Sequence, residues 1–93
     1  MNETIPEDKL YKMLEMVLFD KTKQPVNIYS GVCALFEQYG GIDSDFDSAH
    51  FRYLFKQGKN KKIDCITYLM KCVLKNDKLL EVFSTIYRQA TDY

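Results

Sequence analysis

An all-α fold, a compact bundle of four to five short helices, follows from three observations on this chain. Apolar residues recur at helical spacing in five separate stretches, no stretch alternates with period two over a useful length, and capping or breaking residues bound each stretch. At 93 residues the chain is too short to divide its core, since a chain of this size buries only about 60–65% of the surface its unfolded form exposes. Residues 1–93 are therefore expected to form a single helical domain. Hydrophobic content of 46% and charged content of 28% are ordinary globular values and argue against disorder.

The first helix is expected after Thr4-Ile5-Pro6-Glu7, which matches a capping box, with Leu10, Met13, Leu14, Val17 and Leu18 as its buried stripe. Tyr11, Met16 and Phe19 fall outside that stripe, so the helix carries apolar material on more than one side and is either central or an interface helix. Lys21 to Pro25 forms a solvated connection. Asn27 is a plausible N-cap for the second helix, whose face is Ile28, Val32, Leu35, Phe36 and Tyr39 and whose stop is Gly40-Gly41. Ser30, Gly31 and Ala34 make a small-residue patch on which another helix could pack closely.

Gly40 to Asp47 is rich in turn formers, and a short third helix starts near Asp47 or Ser48 and runs to Lys56 or Gln57. Phe51, Tyr53, Leu54 and Phe55 crowd that helix with more bulk than one face can bury, so Tyr53 or Phe55 is expected to reach another surface. Gln57 to Lys62 breaks the pattern. Asp64 then suits the start of a fourth helix with Cys65, Ile66, Leu69, Cys72 and Val73 inward, and Asn76 or Asp77 starts a fifth with Leu79, Leu80, Phe83, Ile86, Tyr87 and Ala90. No internal repeat is evident.

Charge narrows the function classes. The formal net charge is zero, but residues 1–55 hold five cations against nine anions and residues 56–93 hold eight against four. A neutral total disfavours a polyanion mimic. Three cysteines, Cys33, Cys65 and Cys72, are too few and too irregular for a disulfide scaffold. On one helix Cys65 and Cys72 would stand about 10 Å apart, beyond disulfide reach, so all three are expected to be reduced core thiols. With no long apolar run and no leader-like N-terminus, a cytoplasmic protein without a membrane span is expected.

Asp43-Ser44-Asp45-Phe46-Asp47 resembles the opening of a calcium loop, but Ser48 stands where the loop needs glycine and Leu54 where it needs a bidentate glutamate. These acids suit the N-terminal end of the third helix, or a basic patch on a partner. His50 is the single histidine and has no zinc-site spacing to the cysteines. A Cys33–His50 dyad would need the second and third helices to be neighbours and Cys33 to be accessible. No metal, cofactor or catalytic group is thus expected. Lys56, Lys59, Lys61 and Lys62, beside Tyr53 and Phe55, form the best case for nucleic acid, because lysines neutralise phosphates and rings stack bases. Seven tyrosines without a tryptophan supply amphipathic contact area, which suits a protein interface as well as the rim of a small core.

The run Asn27-Ile28-Tyr29-Ser30-Gly31-Val32-Cys33-Ala34-Leu35, followed by the aromatic segment Phe51 to Phe55, resembles small accessory proteins of tailed bacteriophages. The resemblance covers about a third of the chain. It implies a protein made in an infected bacterial cell that binds and inhibits a host or defence protein. The expectation from the whole chain is a non-enzymatic protein-binding module, monomeric or self-associating, directed at a larger protein. Asp43, Asp45 and Asp47 would steer the encounter, and Phe46, Tyr53 and Phe55 would be its aromatic anchors. The alternative is a nucleic-acid or nucleotide-ligand binder using Lys56, Lys59, Lys61 and Lys62.

Overall fold

In the computed structural model, which describes residues 4–41 and 45–91, five helices follow one another without a strand: α1 (Glu7–Leu18), α2 (Pro25–Gly40), α3 (Ser48–Gln57), α4 (Lys61–Leu74) and α5 (Asp77–Thr91). The all-α bundle is as the periodicity predicts. Its radius of gyration, 12.9 Å, is near the roughly 12 Å of a compact chain this long.

The central element is α4. It packs on α1, α3 and α5, while α2 packs on α5, α1 and α3. Cys65, Ile66, Leu69, Cys72 and Val73 are all sealed from solvent, the stripe expected from their spacing. They meet Leu10, Leu14 and Leu18 of α1, Phe51 and Phe55 of α3, and Leu79 and Phe83 of α5 in one core cluster. In α1 the buried line is thus every fourth residue; Val17 turns outward and Met16 is more exposed still. The helix is peripheral, not central.

Helix starts depart from the sequence expectation in three places. No side chain caps α1, whose first turn instead hangs on the Pro6 carbonyl, which accepts from Lys9 N at 3.0 Å and Leu10 N at 2.9 Å. The segment before it is pulled inward, because Ile5 is buried and its N–H donates to Ser84 Oγ of α5 at 3.1 Å. Pro25, with its fixed φ and missing N–H, begins α2 two residues before Asn27. Finally α4 begins at Lys61, so Lys61 and Lys62 are helical and Asp64 lies in the first turn, where its charge suits the positive helix end.

The turn chemistry of the other starts is as expected. Asp47 caps α3 by accepting from Ala49 N at 2.9 Å. Asn76 caps α5, its Oδ1 accepting from Lys78 N and Leu79 N at 3.0 Å each. Gly41 ends α2 with φ +66°, a conformation L side chains avoid. The small-residue patch on α2 behaves otherwise than expected: Ser30, Gly31 and Ala34 are exposed, and a methyl group on Gly31 would touch nothing within 4 Å. No helix among the described residues is long and apolar enough to cross a membrane.

Candidate functional site

Helix α3 divides its residues by period. Phe51 and Phe55 point into the core, while Arg52 and Lys56, one turn apart on the outer side, flank Tyr53, which is 58% exposed. The first turns of α2 lie opposite. Between the two helices opens a cleft of about 590 Å³, lined by Pro25, Val26, Tyr29 and Ser30 from α2, Arg52, Phe55 and Lys56 from α3, and Lys61 at the head of α4.

Its floor is built from packed rings. The Tyr29 ring stacks on Phe51 with centroids 5.6 Å apart and planes 4° from parallel, and lies 6.2 Å from Phe55. The Tyr29 hydroxyl donates to the Ser48 carbonyl at 3.2 Å, tying α2 to the start of α3. A hydrogen bond with the Cys33 thiol, aided by burial, holds the Tyr29 phenol above its ordinary pKa. Lys61 Nζ stands 4.4 Å from the centroid of Phe55, a cation–π contact that closes one end of the cleft.

The electrostatics are one-sided. Three cations line the cleft and no carboxylate does. Among the described residues, ion pairs join Lys62 to Glu15 and Lys75 to Asp45, and neither involves Arg52, Lys56 or Lys61. Pro25 and Val26 are the first residues of α2, and that helix has neither a side-chain cap nor an acidic residue in its first turn. Its positive end is therefore uncompensated and adds to the field of the three cations. Such a site favours an anion at the rim and an apolar group on the floor. A groove of similar volume, about 570 Å³, lies between α2 and α5 with Leu35, Tyr39, Val82 and Ile86 along it, but Lys78 and Glu81 balance its charge.

The residues expected to carry function are dispersed by the structure. Phe55 is only 5% exposed and belongs to the core, because its position one turn after Phe51 turns it inward; its edge contributes to the cleft but it is not a protruding anchor. Phe46 is half-buried for a different reason, filling the space beside Phe36, Phe51 and Tyr68 at centroid distances of 5.1, 5.8 and 6.2 Å. Tyr53 does stand outward. Asp47 is engaged as the α3 cap. Asp45 faces Lys75 at 3.7 Å with both side chains exposed, and its carbonyl accepts from the Tyr68 hydroxyl at 3.4 Å. Asp43 lies outside the described residues. Residues 45–47 are thus held by Tyr68, whose hydroxyl also accepts from Asp47 N at 2.6 Å.

The lysine segment splits as well. Lys56 and Lys61 face the cleft, Lys59 is exposed on the turn, and Lys62 is drawn toward α1 by Glu15 and lies 5.9 Å from the Phe19 ring. Arg52, Tyr29 and the start of α2 escaped the sequence reading. The available signals were the spacing of Arg52 and Lys56 and the proline at a helix start without an acid after it. Cys33 and His50 are each engaged by a tyrosine: Cys33 by Tyr29, His50 by an edge contact with Tyr68 at 4.8 Å. Burial pushes the Cys65 thiol up to about 11 and raises Cys72 too, which keeps both protonated at neutral pH. No group of three potential ligands for a metal ion occurs among the described residues.

No protein-family model, no curated protein and no solved structure matches this chain.

Proposed function

We propose that the chain is a small non-enzymatic binding protein that covers an acidic surface of a larger protein and so inhibits or modulates it. The single observation behind this reading is the convergence of Arg52, Lys56 and Lys61 with the bare start of α2 around an apolar cleft that no carboxylate lines. Tyr53 beside Arg52 adds the pair of residue types that most often dominate the energy of a protein interface. In the setting that the bacteriophage resemblance implies, the target is a host or defence protein in the bacterial cytoplasm.

Affinity capture from bacterial lysate tests it, with the tagged chain and its Arg52→Glu, Lys56→Glu double variant run side by side, with and without nuclease. Both positions are on the outer face of α3, so the variant should fold. One stoichiometric protein retained by the parent chain, insensitive to nuclease and lost by the variant, is the expected result. Equal retention by both chains would remove the cleft from the interface.

The same cations, joined by Lys59, favour a second reading as a nucleic-acid binder. It requires an affinity that falls steeply with salt and a captured material that nuclease destroys. A protein partner steered by these charges shows salt dependence mainly in its association rate.

A further inference from the structure

We infer that the α2–α3 cleft is an anchor pocket for one large apolar side chain set between carboxylates on an acidic segment of the partner protein. The inference rests on the binding-protein reading above and names what enters the site. Its volume, about 590 Å³, is within the range of roughly 300–1,000 Å³ typical of built binding pockets.

The layout assigns each part of the occupant. Tyr29 and Phe55 make the floor apolar, with the exposed Pro25 and Val26 at its rim, so a carboxylate pressed onto the two rings would exchange water for apolar contact. An aromatic or aliphatic group loses nothing by the same move. The cations stand along one bank and at one end of that floor: Arg52 and Lys56 along α3, and Lys61 at the head of α4. Carboxylates before and after the buried side chain would therefore meet opposite charge along α3 and at the α4 end, and Arg52 can take one of them bidentately.

Two observations select an acidic peptide over a nucleic acid. Base stacking would fall to the exposed Tyr53 ring, which lies beside the cleft rather than in it, while in the cleft Lys61 already sits over Phe55. A polyanion also needs a net positive field, and the chain is neutral. The charge of this site is local, suited to a few carboxylates at contact distance.

Amide NMR titration of the full chain tests the assignment with four probes. These are a blocked pentapeptide with one phenylalanine between two pairs of glutamates, its alanine-centred counterpart, its lysine-flanked counterpart, and adenosine monophosphate. The expected result is saturable shifts at Val26, Ser30, Arg52 and Lys61 with the first peptide, at least about tenfold tighter than with any other probe. Ser30→Glu, an exposed change that puts a carboxylate into the cleft, should keep the thermal midpoint and weaken that peptide at least about tenfold. Equal affinity for the phenylalanine and alanine peptides, or tighter binding of adenosine monophosphate at the same amides, overturns the inference. It can fail while the binding-protein reading stands: charge reversal at Arg52 and Lys56 would still abolish capture of the whole partner.

Discussion

Lys61, the first residue of α4, holds its ammonium 4.4 Å from the centre of the Phe55 ring near the end of α3, so the head of α4 bounds one end of the cleft. The contact separates two roles that the aromatic run of α3 blends. Phe55→Ala removes a buried ring and should cost about 3–5 kcal/mol in urea denaturation. Tyr53→Ala, two residues earlier and outward, should change stability by no more than about 0.5 kcal/mol while weakening partner binding. The opposite pattern, a destabilising Tyr53 and a silent Phe55, would mean that the face of α3 has been assigned the wrong way round.

Asn76 couples the end of one helix to the start of another. Its Nδ2 donates to the Gly40 carbonyl at 3.1 Å, while Oδ1 caps α5. Asn76→Ala leaves a buried carbonyl and two helix amides without partners, and is expected to cost about 2–4 kcal/mol. Asn76→Ser keeps a capping oxygen and loses the Gly40 bond without setting a carboxylate against that carbonyl, so its urea midpoint should fall between those of the parent and the alanine variant. A serine variant as unstable as the alanine one would place the whole effect in the bond to Gly40.

Two glycines should respond to alanine with opposite signs. Gly31 is helical, exposed and free of neighbours, so Gly31→Ala should stabilise the chain by about 1 kcal/mol through helix propensity and a less flexible unfolded state. A Cβ on Gly58 would stand 2.6 Å from the Leu54 carbonyl oxygen, a backbone atom that cannot swing aside. Gly58→Ala should therefore destabilise by about 1–3 kcal/mol. Thermal midpoints of the two variants on either side of the parent are the expected reading.

These contrasts also mark what the sequence could disclose. The α4 stripe and the caps Asp47 and Asn76 were legible, because helical spacing and short polar side chains act within a few residues. The cleft was not, because it needs the start of α2, the outside of α3 and the head of α4 at once, and only packing joins them. Local patterning also misled where tertiary contact decided the outcome. Thr4 looked like a cap, yet the chain is fixed there by Ile5 bonding to Ser84 of α5. Phe46 and Phe55 looked like aromatic anchors, yet the ring cluster around Phe36 and Phe51 absorbs them.

Alkaline pH should weaken this fold through its core thiols. Burial raises Cys65 from an ordinary 9.0 to about 11 and shifts Cys72 and Cys33 in the same direction. Below pH 9 the thiol of Cys65 is protonated in the folded and the unfolded chain alike, so it adds no pH dependence. Between about 9 and 11 the unfolded chain gives up the proton and the folded chain retains it, which favours unfolding. Cys65 alone should thus remove about 2 kcal/mol of stability by pH 10.5. Tyr29 and Tyr68, both raised, add to the same slope. Urea denaturation at pH 7.5 and 10.5 measures the sum, and the same pair of curves for Cys65→Ala isolates its share. A Cys65→Ala chain that loses as much stability as the parent would show that this thiol ionises in the folded state, and that the core around α4 is wetter than its packing implies.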